Sequence, residues 1–457
     1  MSQNMQNERY ARLGSDPIPS LIKNLAGPAI ISMLISSFYN LTDTFFVSSL
    51  GTSATGAVGV VMPLMAIMQA VGMTFGTGAA SLISRSLGQR NQKRAAEAAA
   101  TAFYSALTCG ILMSVYGFFG AASLVQLLGA TETILPYALA YGNVILIGAP
   151  FIIANFTLNN ILRSEGNAFQ AMIGISAGVI INIILDPIFI FVLDMGIAGA
   201  AWATIPSQMI SFAILLSHFL RGTSNLSLAP RFFRLEFMLY YEELKMGSPS
   251  LFRQGLAAIS QVLMNQAAGP FGDAAIAAVS IVTRVTMMVY SAMLGMGQGF
   301  QPVAGFNYGS KNFSRLQEAF WYSVKMSTIA AVACCSVIFV FATPLLSLFR
   351  ADDLQVVELG TRIIRLQALT LPFQAWVVIT NMSYQAMGRG LQSFILALSR
   401  NGFCYIPCIL ILPRLFGLDG VVAIQATTDL LSLLIAIPLF ISLLREIKQS
   451  IAATTLS

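Results

Sequence analysis

Charge is what this sequence has least of. Lys, Arg, Asp and Glu make up 10% of its 457 residues, whereas a water-soluble domain carries about 25%. Hydrophobic residues reach 56% and the mean hydropathy is +0.75, which excludes a soluble multidomain protein and indicates an integral membrane protein. The apolar residues fall in runs long enough to cross a bilayer as helix, so the short alternating segments of an outer-membrane barrel are excluded too. Histidine is nearly missing: there is one, His218. With no His-Glu-x-x-His run and no nucleophile beside a base, a membrane-embedded enzyme is a poor account of the chain, and no metal site or cofactor is expected. The five cysteines (Cys109, Cys334, Cys335, Cys404, Cys408) all lie in apolar segments, an odd number without a disulfide spacing, and are expected as packed thiols. Cys404 and Cys408 stand one helical turn apart, but further metal ligands are not near them. The polar first twenty residues lack the apolar core and cleavage site of a secretory signal, so the N-terminus is expected to be retained, in the cytoplasm.

What is present is a set of twelve apolar stretches: 20–46, 56–82, 96–120, 136–162, 168–193, 197–220, 240–268, 275–303, 316–342, 356–386, 391–413 and 420–444. The net charge of +6 comes from cations in the short connections, which read as topology signals and give no reason to expect a nucleic-acid partner. Of 25 Lys and Arg, seventeen fall on one side, from Arg9 and Arg12 through Arg163 to Lys448. Four (Arg350, Arg362, Arg365, Arg414) fall on the other, and Arg253, Arg284, Lys325 and Arg400 fall within spans. Both termini are therefore expected inside, in the cell plasma (inner) membrane.

The halves repeat. At a shift of 221, Pro28 meets Pro249, Gly76 and Gly78 meet Gly297 and Gly299, Gly88 meets Gly309, and Asn91 meets Asn312. At 222, Pro150 meets Pro372, Asn159 meets Asn381, Gly166 meets Gly388 and Gln170 meets Gln392. The expected fold is an all-α polytopic membrane protein of two six-helix lobes, 1–225 and 226–457, joined by the polar link Arg221–Glu243. Six is even, so the repeats enter the membrane in parallel, as in transporters that alternate access around a cleft. Gly76-Thr77-Gly78 is superficially like a nucleotide loop, but it lies within a span and its repeat is Gly297-Gln298-Gly299, which favours close helix packing.

Ionisable groups within a membrane are costly and mark function. The first lobe has two, Asp43 and Asp186, whose repeat partners Met264 and Cys408 are uncharged. A rise of ~1.5 Å per residue places Asp43 about 10 Å and Asp186 about 12 Å below the outer ends of their spans. Tyr141 and Thr204 fall at similar depth, and Asn182 is one turn from Asp186 on the same face. Carboxylate, amide and hydroxyl groups in one layer can hold a monovalent cation, or a proton shared between the two acids; the alternative is that each Asp is a satisfied buried group near a helix end. In the second lobe Arg284 and Arg400 read as structural, with Asp429 available to pair with one of them. Met33, Met62, Met65 and Met68 fit an adaptable apolar cavity. No cation falls inside the first lobe's spans, which counts against a flippase for pyrophosphate-linked lipids.

Pro28, the stretch Tyr39-Asn40-Leu41-Thr42-Asp43-Thr44, the segment Asn182-Ile183-Ile184-Leu185-Asp186-Pro187 and the paired lobes resemble the multidrug and toxic compound extrusion (MATE) family, over almost the whole chain and nearest to its prokaryotic branch with coupling acids in the N-terminal lobe. The resemblance implies an antiporter, a monomer, that exports amphipathic, often cationic drugs against H+ or Na+. It assigns Asp43, Tyr141, Asn182, Asp186 and Thr204 to the cation or proton network, Pro28 to a hinge, and Asn155 and Asn159 to the substrate cavity, where the methionine reading already places Met33 and Met65. In a straight fourth span Asn159 lies about 27 Å from Tyr141, too far to join that network.

Overall fold

A bilayer offers no water to satisfy backbone N–H and C=O groups, so an apolar run must close its hydrogen bonds within itself, as helix. The computed structural model describes residues 12–48, 50, 52–128, 130–349 and 353–456, the side chains of 39–41, 43–45, 47, 48, 52–55 and 454–456 excepted, and these residues form helices and no strand. The first repeat comprises α1 (Ile18–Ser48), α2 (Thr52–Gly88), α3 (Gln92–Leu127), α4 (Leu135–Ile147), α5 (Ala149–Ser164), α6 (Ala168–Pro187) and α7 (Gly196–Leu220). The second comprises α8 (Phe237–Ala268), α9 (Asp273–Gly309), α10 (Phe313–Val340), α11 (Ala342–Phe349), α12 (Leu354–Thr370), α13 (Gln374–Ala386), α14 (Gly390–Leu398) and α15 (Tyr405–Leu456).

Among the described residues nine helical stretches are long and apolar enough to cross a membrane, and the pair α4 and α5, bent by 51°, makes a tenth. The remaining two of the expected twelve are accounted for by composition. One continuous helical stretch, Gly390–Ala453, runs through the eleventh and twelfth apolar stretches and breaks within α15 at Gly417, whose φ is 57°, and α8 is diluted by Arg253, Gln254, Gln261, Asn265 and Gln266. The chain is a multi-pass membrane protein.

The repeat is visible in local geometry. Asn91 caps α3 by accepting from the Arg94 amide at 3.0 Å, and Asn312 caps α10 from Arg315 at 3.4 Å. The residues just before, Arg90 and Lys311, both take positive φ, at 59° and 60°. The fourth span is broken before Pro150, and the tenth is broken at the turn Leu371–Phe373 that contains its counterpart Pro372. Proline supplies no N–H to the turn behind it, so both helices break at the same repeat position.

The helices pack into two compact units. One holds residues 12–16 and Ile31–Leu251, the other Pro17–Ile30 and Phe252–Ser457. The first has a core of Val61, Leu64, Ile145, Ile153 and Ile205, and the second a core of Val279, Leu346, Ile364 and Ile424. Each unit thus includes the opening turns of the other repeat's first helix. In the first unit the start of α8 lies so close to α2 that a Cβ on Gly78 would overlap the Glu243 carbonyl, and one on Gly247 would overlap that of Thr74. In the second the start of α1 makes the equivalent approach to α9, Ala26 against Gly299 and Ile30 against Gly295. The glycines of the nucleotide-loop-like stretch and of its repeat are therefore close-packing positions. Gly78→Ala is expected to lower the thermal midpoint in detergent, since backbone cannot yield to a methyl group and overpacking costs about 1–3 kcal/mol. Gly59→Ala, with nothing within 4 Å of the added carbon, should raise it by the helix propensity gained, up to ~1 kcal/mol. Equal midpoints for the two variants would contradict this packing.

Candidate functional site

The first unit contains a cavity with about 1490 Å³ of space free of protein, mouth included. On α2, Met62, Met65, Ala66, Gln69 and Met73 recur at helical spacing and present one face to it. Met33 lines it from α1, Asn155, Phe156 and Asn159 from α5, Gly178 from α6, and Thr204 and Gln208 from α7. Five of the expected residues, Met33, Met65, Asn155, Asn159 and Thr204, are thereby on one wall. Met62 joins them, whereas Met68 does not: it is fully buried in the core of the unit. The wall is mostly thioether and apolar carbon with a few amides and hydroxyls, the composition of a site that accepts several ligand shapes.

The amides are held in place. Asn155 Nδ2 donates to Gln208 Oε1 at 2.8 Å and to the Gln208 carbonyl at 2.9 Å, and Asn159 Nδ2 donates to the Ala171 carbonyl at 3.0 Å. The 51° bend between α4 and α5 overturns the straight-span assumption that set Asn159 apart: the break before Pro150, which has no N–H to donate, turns the lower half of the span, so that Asn155 and Asn159 share the cavity with Thr204.

Tyr141, Asn182 and Asp186 are not on that wall among the described residues, although all are buried. Asn182 Nδ2 donates to Asp186 Oδ1 at 3.1 Å, the one-turn spacing doing what was expected of it. Asp186 is wholly inaccessible and ends α6 just before Pro187, where the helix widens into a π turn, Ile188–Val192. Such turns are frequent at functional sites. The Tyr141 hydroxyl points to the sulfur of the cavity residue Met65 at 3.7 Å, and Thr204 Oγ1 donates to the Ala200 carbonyl at 3.0 Å. Asp43 lies in the α1 helix, but its side chain falls outside the described residues, as do those of Tyr39 and Asn40. Pro28 is inside α1, two residues before the helix passes from the second unit to the first.

Arg163, counted on the inner side at the end of the fourth span, is buried there: it sits in the last turn of α5, 5% exposed, lines the cavity and donates from Nη2 to Asn160 Oδ1 at 2.8 Å. The cavity of the first unit therefore has one cation on its wall, at the end of α5. The signal available was Asn160, one turn earlier on the same face. Gln69 and Gln208 were also missed; Gln69 continues the Met62 and Met65 stripe by one turn.

In the second unit, Arg400 lies in another π turn, Ser399–Phe403. Its Nε donates to Asp429 Oδ1 at 2.9 Å, and its guanidinium covers the Tyr290 ring at 4.1 Å. Gln425 also donates to Asp429, at 3.2 Å. Arg284 is exposed. The five cysteines are free thiols, and among the described residues no group of three His, Cys, Asp or Glu is placed to hold a metal ion.

Comparison with known proteins agrees with this architecture. The MatE family model matches residues 28–188 and 249–411, one stretch in each repeat. Multidrug export protein MepA of Staphylococcus saprophyticus is 27% identical over 396 residues, covering 86% of this chain and 87% of its own, and that of Staphylococcus aureus is 26% identical over 443 residues, 97% of each. Among solved structures, a MATE transporter in its straight conformation superimposes with a TM-score of 0.90 at 27% identity over 96% of this chain and 98% of its own. One in the bent conformation gives 0.88 at 27% identity, over 98% and 99%. Two family matches covering most of the chain, one in each repeat, place this protein in the MatE family of membrane transporters.

Proposed function

We propose that this protein is a secondary antiporter that exports amphipathic, often cationic compounds in exchange for H+ or Na+. It acts as a monomer in the cell plasma (inner) membrane with both termini cytoplasmic, and it needs no cofactor. The observation that carries the proposal is the presence, in one unit, of a large thioether-and-amide cavity, of the buried Asn182–Asp186 pair on a helix that also lines it at Gly178, and of Tyr141, whose hydroxyl points to the cavity residue Met65. The multidrug export of the MepA relatives supports the substrate class. An acid that is neutral when loaded and charged when empty gives the coupling ion a place to bind that a drug in the adjoining cavity can oppose. The alternative, a flippase for a pyrophosphate-bearing lipid, calls for several cations on the wall; the cavity has Arg163, which donates to Asn160, and so the antiporter is favoured.

Purified protein in liposomes, with the sodium and proton gradients imposed separately, tests this. Export of an unmodified cationic dye driven by one gradient is expected; movement under neither, or chemical change of the dye, would overturn it. The orientation has its own check. Cysteines placed at Lys93 and Lys311, repeat-related turns that follow the positive-φ residue or coincide with it, should both be labelled from the cytoplasmic side, and labelling from opposite sides would refute the parallel repeat.

A further inference from the structure

The fold builds its cavity twice. A smaller one in the second unit, about 360 Å³ with its mouth, is lined by Arg253, Tyr290, Gln374, Asn381, Arg400 and Asn401 among others. By the repeat shifts of 221 and 222 these residues are the counterparts of Ser32, Gln69, Ile152, Asn159, Gly178 and Val179, every one of which lines the first cavity. What changes between the two is charge: Ser32 is replaced by Arg253 and Gly178 by Arg400.

The charge is not cancelled. Arg400 is paired with Asp429, which is wholly buried and stands where the first repeat has Ser207. Arg253, in the middle of α8, has no ion-pair or hydrogen-bond partner among the described residues. Two guanidiniums against one carboxylate leave one positive charge on a cavity within membrane helices. A membrane-embedded cation without a counter-charge is costly, and guanidinium is the side chain best matched to an oxyanion. Arg400 is also held flat on Tyr290 and pinned at Nε by Asp429, so its orientation is fixed before any ligand arrives. The Asn401 amide adds a donor to the same wall, and the unpartnered Gln374 Oε1 is an acceptor there for a hydroxyl or for water accompanying the ligand.

We infer that the second-unit cavity binds an oxyanion, a carboxylate or a phosphate headgroup, between Arg253 and Arg400. In this site the charged group lies between the two guanidiniums while the rest of the molecule stays in the mouth. This site is separate from the cation-coupled cavity of the first unit and does not depend on the reading given to that cavity.

Calorimetric titration of the full-length protein in nanodiscs, without any ion gradient, tests it. In phosphatidylcholine discs benzoate is expected to bind and its uncharged isostere benzamide to bind at least ~10-fold more weakly, as befits a charge-assisted hydrogen bond. Arg253→Gln, which removes no existing partner, should weaken benzoate by a similar factor, and the double variant R400Q/D429N, which leaves no buried charge behind, should do the same. If discs containing phosphatidylglycerol suppress benzoate binding, the oxyanion is a lipid phosphate; if affinity is equal in both lipids, it is the carboxylate of a soluble compound. Either supports the site. Equal affinity for benzoate and benzamide, no binding of either, or benzoate affinity unchanged in both variants would overturn it.

Discussion

Asp186→Asn is expected to reduce gradient-driven export to the level of empty liposomes, a loss of at least about tenfold, in protein that folds normally. The substitution keeps the shape of a side chain that is completely buried and keeps an oxygen for the Asn182 amide, which donates to it at 3.1 Å. Packing is thus conserved, and what is lost is the capacity to change charge. On the coupling scheme proposed above, an ionised acid at this depth is strongly unfavourable unless a proton or a sodium ion accompanies it, so only the carboxylate makes its loading state depend on the gradient. On the same scheme Asp43→Asn should behave alike, because two acids sharing one layer, as the helical rise predicts for them, would repel when both are empty and act as a unit when one ion is held. Drug affinity measured with and without the coupling ion completes the test. Reciprocity requires that the ion weaken drug binding by the factor by which drug weakens ion binding, and both factors should fall to one in either variant. Full gradient-driven export by both folded variants would refute the assignment. Loss in only one would reduce the site to a single carboxylate.

The sequence made the helical fold, the repeat and part of the site legible for definite physical reasons. Hydropathy marks spans because the bilayer forces helix on any apolar run of the right length. The repeat is carried by residues with no substitute in their geometry: the caps Asn91 and Asn312, and Gly166 and Gly388, which take φ of 87° and 80°. The Asn182–Asp186 bond follows from one-turn spacing alone, and the methionine stripe of α2 from the helical period. Less accessible was anything that depends on which bundle a helix joins. Nothing in the local sequence of α1 shows that Pro17–Ile30 packs with the second unit while the rest packs with the first; that is settled by close approaches such as Ala26 to Gly299, hundreds of residues apart. The burial of Arg163 could not be read because a cation at the end of an apolar run is equally good as a topology signal and as a buried side chain, and the charge count cannot tell which way it turns. The bend in the fourth span was in principle readable from Gly148-Ala149-Pro150, and a straight rise per residue ignored it.

Arg400→Ala is expected to cost the second unit about 3–5 kcal/mol, or to prevent folding, because it leaves the Asp429 carboxylate buried and uncompensated. The repeat shows why this pair is structural. At the same helix crossing in the first unit stand Gly178 and Ser207, so close that a Cβ on Gly178 would lie 2.8 Å from the Ser211 Cβ and 3.1 Å from the Ser207 carbonyl. That crossing is held by backbone contact. In the second unit a guanidinium and a carboxylate take the place of the two small residues. Arg400 bonds Asp429 at 2.9 Å, the side chain of Gln374 donates to the Asp429 carbonyl at 3.2 Å and to Ser432 at 2.8 Å, and the crossing is held by a polar network. Removing one member of such a network leaves a charge, whereas removing both charges together leaves ordinary amides. R400Q/D429N should therefore recover most of the stability lost in Arg400→Ala, measured as the thermal midpoint of the purified protein in detergent. Because neither residue belongs to the first-unit site, the double variant should also retain ion-driven export of cationic dye. A double variant no more stable than Arg400→Ala would show that the pair is not what holds the crossing. If Arg400→Ala folded normally and yet lost its dependence on the coupling ion, coupling would have to be moved out of the first unit and onto Asp429.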